Sequence, residues 1–110
     1  MAFYAEYNLV EGDAVITLVG ELDASSAPDF KSEIEKAASS GAPRLVLRAE
    51  GLEYMSSAGL RVLIFARQKM GAGVDIYVVG APETILSTIE KTGFHHSVII
   101  QDVYSPTHGA

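Results

Sequence analysis

With 110 residues, the chain can bury one core but not two. Its 8 lysines and arginines against 14 aspartates and glutamates give a formal charge of −6, and the scattered basic residues form no stripe to neutralise phosphates, which excludes a direct nucleic-acid binder. There is no cysteine, so disulfides and thiolate metal sites are excluded as well.

No apolar run approaches the ~20 residues that cross a bilayer, and residues 1–6 lack the basic and apolar segments of a signal peptide, so no membrane insertion and a cytoplasmic location are expected. A single domain over 1–110 is expected, with a core of about 3–103 and a tail over 104–110.

Phe3, Ala5, Tyr7 and Leu9 alternate with Tyr4, Glu6, Asn8 and Val10, the period of a half-buried strand. Glu11, Gly12 and Asp13 read as a turn, and residues 14–19 as a second strand antiparallel to the first, because the link is so short. Gly20, Glu21, Leu22 and Asp23 then lead out of the sheet. A first helix starts at Ser25 or Ser26, with Pro28 in its opening turn and a capping-box spacing between Ser26 and Asp29. Phe30, Ile34, Ala37 and Ala38 form its inner face, and Gly41 with Pro43 ends it.

Leu45, Val46 and Leu47, bracketed by Arg44 and Arg48, read as a buried strand. A second helix is expected over 57–70, apolar on almost every side in its first half and therefore packed on a sheet beneath and a helix beside. Residues 74–79 give a fourth strand. A third helix follows Pro82, with Ile85, Leu86 and Ile89 inward and Gly93 just past its end. Val98, Ile99 and Ile100 make a last short strand. The fold class is α/β: a mixed, mostly parallel sheet with an N-terminal β-hairpin and three main helices.

Residues 53–60, from Glu53 to Leu60, stand between the third strand and the second helix, where a strand, a tight turn and a helix start are expected. Ser56 or Ser57 falls at that helix entrance, and two readings stand side by side. The serine is a plain N-cap, accepting from a backbone N–H that lacks an intrahelical partner. Alternatively, its hydroxyl is held exposed where free amides and the helix dipole favour an anion, with the small Ala58 and Gly59 leaving room for another molecule.

Leu45–Leu47 followed by Gly51–Leu63, with the upstream Gly20-Glu21-Leu22-Asp23, resembles the signature of the STAS domain, in particular of stand-alone bacterial anti-sigma factor antagonists. The element order and length are similar from about Phe3 to Val103. The resemblance implies that Ser57 is phosphorylated by a partner kinase, with Ser56 as the rival acceptor. It implies that Asp23 lies near Ser57 and orients its hydroxyl or the kinase nucleotide; as a bare residue, Asp23 reads equally as a turn acid capping the first helix.

Asp23, Ser56, Ser57, Ala58 and Gly59 are the expected partner-binding residues. The implied partners are an anti-sigma factor serine kinase and a metal-dependent serine phosphatase. The family also includes STAS subunits of larger signalling or transporter assemblies. The protein is expected to be a kinase substrate and binding module, not an enzyme. Residue types for a hydrolase are present in Ser57, His95, His96 and Asp102, but Met55 stands where a nucleophile elbow needs glycine. The paired histidines lack a carboxylate at metal-ligand spacing, and no glycine loop cradles a nucleotide, so no metal or other cofactor is expected.

Overall fold

A computed structural model describes residues 2–104 of the chain. The elements in order are β1 (Tyr4–Val10), β2 (Asp13–Leu22), α1 (Ala27–Ser39), β3 (Arg44–Met55), α2 (Ser57–Met70), β4 (Asp75–Val79), α3 (Glu83–Lys91), a 3₁₀ turn (Phe94–Ser97) and β5 (Ile99–Gln101). They build one sheet in the order β1-β2-β3-β4-β5, antiparallel at β1–β2 and parallel elsewhere. The α/β class, the opening hairpin and the three helices agree with the sequence reading.

Each parallel crossover steps to the next strand in the same direction. Right-handed connections that always step the same way place every helix on one face. Accordingly Phe30, Ile34, Leu63, Ala66, Ile85 and Ile89 from the three helices share one buried cluster with Ile16, Leu18, Leu45, Leu47, Ile76 and Val78 of the strands. Ile64 departs from the expected all-round burial of α2: it is 39% exposed.

Several boundaries differ from expectation, each for a local reason. Glu11 and Gly12 both take positive φ (48° and 88°), the backbone of a two-residue hairpin turn, so Asp13 opens β2 instead of closing the turn. β2 and β3 run on to Leu22 and Met55, well past the expected ends at Val19 and Leu47. Their register slips between Thr17 and Val19 and again between Gly20 and Glu21, and such bulges break the period-two pattern that would reveal the strands. No tight turn separates β3 from α2. The capping box is absent too, since Ser26 makes no side-chain cap bond to α1.

The face of the sheet away from the helices buries Val15, Val46, Tyr77 and Val79 under Val10 and Tyr104. Asp13 is fully buried at its edge. One carboxylate oxygen accepts from Arg44 Nε at 2.7 Å and the other from the Tyr104 hydroxyl at 3.0 Å. A buried carboxylate needs such partners, and here they come from positions 31 and 91 residues away. Tyr104, placed in the tail by the sequence reading, is thus tied to the start of β2; the remainder of that tail lies outside the described residues.

Burial, then the bond to the Asp13 carboxylate, push the Tyr104 phenol up to about 12. The folded state therefore favours the protonated phenol, and its contribution to stability is complete below the ordinary tyrosine range, near 10, and lost as pH rises from there through about 12. A phenolate absorbance titration should show a late phase, near pH 12, that vanishes in Tyr104→Phe. That variant should also flatten the fall in urea stability across the same pH window.

Candidate functional site

β2 and β3 end side by side, and the helix begins at once. The Ser56 N–H donates to Leu22 O at 2.8 Å, extending the strand ladder by one bond. Ser56 is extended (φ −86°, ψ 176°) and is the N-cap of α2; its Oγ accepts from the Gly59 N–H at 3.4 Å, and its carbonyl accepts from the Leu60 N–H at 3.0 Å. Ser57 is the first helical residue. Its side chain is exposed and makes no hydrogen bond among the described residues. The two serines, equivalent in the sequence, are thus separated by one step of backbone: Ser56 is committed to the cap and Ser57 is not.

Gly59 is buried, one turn into α2. A Cβ there would lie 2.6 Å from Leu22 Cγ, 2.9 Å from Leu22 Cδ2 and 3.1 Å from Met55 Cγ. Leu22 is fully buried and cannot retreat. The glycine therefore lets the first turn of α2 settle on the end of β2. The surface at this point is formed by exposed Ser57 and by half-buried Ser56 and Ala58, with Gly59 beneath them.

Asp23 follows Leu22 directly, so it shares the same edge of the sheet. Its Oδ1 accepts from Ser25 N (2.9 Å), Ser25 Oγ (2.7 Å) and Ser26 N (3.1 Å), and its carbonyl accepts from Ala27 N at 2.8 Å. Ser26 is buried here: its hydroxyl accepts from Asp23 N and donates to Glu21 O, both at 2.9 Å. This is the turn-acid arrangement, with one oxygen holding the β2–α1 loop and Oδ2 left without a hydrogen bond among the described residues. The Ser25 hydroxyl, followed by the Ser26 amide, holds the Asp23 carboxyl below the usual carboxylate range.

Two neighbours of the site escaped the sequence reading. Tyr54 is 51% exposed and pairs in register with Glu21, on the face opposite buried Met55. The signal was present in the alternation of Tyr54 with Met55, but a turn was expected there. Ser26 was read as a cap, and its long-range anchoring of the loop has no local signature.

His95 and His96 lie elsewhere. They occupy the 3₁₀ turn, with ring centroids 3.9 Å apart, and Nδ1 of His95 is buried without a partner among the described residues. The turn is tied to the far end of α2, where the Arg67 guanidinium donates to Ser97 O and also to Gly71 O and Val74 O. Ten helical residues, about 15 Å of rise, separate Arg67 from Ser57. The histidines and Ser57 thus sit at opposite ends of one helix and cannot form a nucleophile–base pair. Among the described residues, no group of three or more histidines and carboxylates is arranged to hold a metal ion, and no helix is long and apolar enough to cross a membrane.

The sequence matches the STAS domain over residues 4–110. The chain belongs to the STAS-domain family. Solved structures agree with this fold. An anti-sigma factor antagonist from Mycobacterium paratuberculosis is similar at a TM-score of 0.85 and 22% identity, with 93% of this chain and 87% of that chain covered. The Bacillus cell fate determinant SpoIIAA in its phosphorylated form gives 0.70 and 22%, with 97% and 96% covered. The anti-sigma factor antagonist SpoIIAA in its unphosphorylated form gives 0.70 and 22%, with 94% and 90% covered. No curated protein sequence matches the chain.

In this STAS domain, Gly59→Ala sets a helix-propensity gain of at most about 1 kcal/mol against overpacking of about 1–3 kcal/mol. Overpacking should win, since Leu22 has no space to move into. Urea unfolding should show a net loss of about 1 kcal/mol or more, and Leu22→Ala should relieve it in a double-mutant cycle. Ser56→Ala should cost about 0.5–1 kcal/mol through the lost cap, while Ser57→Ala should be close to neutral.

Proposed function

We propose that this STAS domain is an anti-sigma factor antagonist, a binding module switched by phosphorylation of Ser57. With Ser57 unmodified, it docks an anti-sigma factor serine kinase and so frees the sigma factor that the kinase holds. Phosphoryl transfer to Ser57 ends the docking, and a metal-dependent serine phosphatase restores it. The observation that carries this reading is the division between the two serines: Ser57 is exposed and unbonded at the helix entrance, while Ser56 is occupied as its cap. The likeness in fold to anti-sigma factor antagonists supports it.

The chemistry follows from charge. A phosphate on Ser57 adds about −1.5 to −2 units of charge and three acceptor oxygens. Phosphorylated at the first helical position, the residue would have the free amides of that turn and the helix dipole beside it, so the fold need not change. A partner that covers the neutral hydroxyl, Ala58 and the Asp23 loop would instead have to desolvate a dianion without a counter-charge. That penalty is a few kcal/mol, about a hundred-fold or more in affinity. Tyr54 adds an exposed aromatic at the rim, the residue type that anchors such contacts.

Incubation with the kinase and ATP, followed by peptide mass spectrometry, should place a single phosphate on Ser57, lost in Ser57→Ala and kept in Ser56→Ala. Ser57→Asp should weaken kinase binding about a hundred-fold by calorimetry, and Tyr54→Ala should weaken it about ten-fold. A phosphate mapped to Ser56, or wild-type affinity in Ser57→Asp, would overturn the switch.

A further inference from the structure

The exposed residues of α2 are Ser57, Arg61, Ile64, Gln68 and Lys69. The first four recur at spacings of four, three and four, so they form one stripe along the helix that starts at Ser57. Arg61 stands on it one turn after Ser57 and makes no hydrogen bond or ion pair among the described residues. Most other cations are engaged. Lys36 is paired with Glu33, Arg44 with Asp13 and Arg48 with Glu50. Lys31 lies over the Phe65 ring, and Arg67 donates to the carbonyls of Gly71, Val74 and Ser97. Lys69 and Lys91 stand in the last turns of α2 and α3. Among the described residues, Arg61 is thus the one cation of α2 that is both uncommitted and close to Ser57.

Residues four apart on a helix have Cβ atoms about 5–6 Å apart, and long side chains lean back towards the helix N-terminus. From position 61 that direction leads over the turn that begins at Ser57. A negative group four residues before a positive one is the favourable order of such a pair. The guanidinium also presents paired N–H groups that match two phosphate oxygens. Ser56 is extended and precedes the helix, so it has no place on the stripe.

We propose that Arg61 captures the phosphate of modified Ser57 within the same chain. The proposal rests on the reading of Ser57 as the phosphorylated residue and adds the group that holds the product. While Ser57 is unmodified it carries no charge, and the Arg61 side chain is exposed and unpaired among the described residues. Once phosphorylated, the two form a bidentate pair across one helical turn. The modification then withdraws an uncommitted cation from the surface as it adds negative charge. One guanidinium offsets about half of a dianion, so a covering partner still meets uncompensated charge. The elements that meet this end of α2 also carry Glu21 on β2, Asp23 on the β2–α1 loop, Asp29 and Lys31 on α1, and Glu53 on β3. These charges, like the amides of the first turn, act on the phosphate whether or not Arg61 is present. Substituting Arg61 therefore isolates its contribution.

The full chain with phosphoserine encoded at position 57, made without a kinase, tests the capture. Phosphorus NMR should place the second ionisation of its phosphate at a pH about 0.4 lower than in Arg61→Gln. Lys69→Gln, about three turns along α2, should match the unsubstituted chain. The Arg61 Nε–H resonance of the unsubstituted chain should move with the same midpoint as the phosphate. Circular dichroism reports whether each variant is folded, and the Nε–H resonance alone decides the test if Arg61→Gln is not. Equal ionisation in Arg61→Gln, an equal change in Lys69→Gln, or an Nε–H resonance indifferent to the phosphate would overturn the proposal. Because the phosphate is installed directly, these outcomes are independent of which serine a kinase selects. A kinase that modifies Ser56 would overturn the Ser57 reading and leave the titration as it stands.

Discussion

The close seating of Gly59 on Leu22 is the constraint from which the geometry of the site follows. β3 passes into α2 without a loop, and the last rung of the ladder, Ser56 N–H to Leu22 O, is already the cap of the helix. That junction is possible only if the first helical turn lies directly over the end of β2, at a distance that excludes a Cβ on residue 59. Strand, cap and helix are then a single rigid piece. A hydroxyl mounted on its first helical residue is positioned by packing and backbone bonds, not by a flexible loop, which is what precise recognition requires.

The second edge of this junction is held by different means. Leu22 ends β2, and Asp23 and Ser26 close the loop to α1 by bonding each other's backbone and side chains. Asp23 is the turn acid of this loop: one oxygen is spent on Ser25 and Ser26, and the other makes no hydrogen bond among the described residues. The result is two loop-less or tightly closed strand ends next to each other, at the carboxyl ends of the parallel strands β2 and β3. The opposite edge carries Asp13 with Arg44 and Tyr104, and its interactions serve to close the outer face.

What could be read in the sequence was whatever depends on near neighbours. The length of α2 from Ser57 to Met70 was legible from an apolar run bounded by serine and glycine, and Gly93 was recognisable as the residue past α3 because its position demands positive φ (78°). The strand extensions were not legible. Arg48, Glu50 and Glu53 are polar, Gly51 resembles a turn residue, and two register slips erase the alternation, so only the pairing with β2 shows this segment to be strand. Asp13 was misassigned for a related reason. Aspartate after glycine favours turns by local chemistry, while the partners that draw it into the sheet lie 31 and 91 residues away. Local chemistry left either Ser56 or Ser57 as the cap, and the structure gives that role to Ser56, whose backbone stays extended.

That division has a mechanical consequence. A phosphate on Ser56 would have to sit in a half-buried position, and it would alter the hydroxyl that accepts from Gly59 N–H directly above the Leu22 contact. It would therefore disturb the packing that fixes the helix. A phosphate on exposed Ser57 would leave the cap, the Leu22 bond and the glycine contact untouched. Modification at Ser57 would change charge at nearly constant structure, and modification at Ser56 would change structure. Under the proposed switch, a partner that reads only the surface would distinguish the two states of Ser57 at full binding cost, with none of that difference absorbed by rearrangement of the domain.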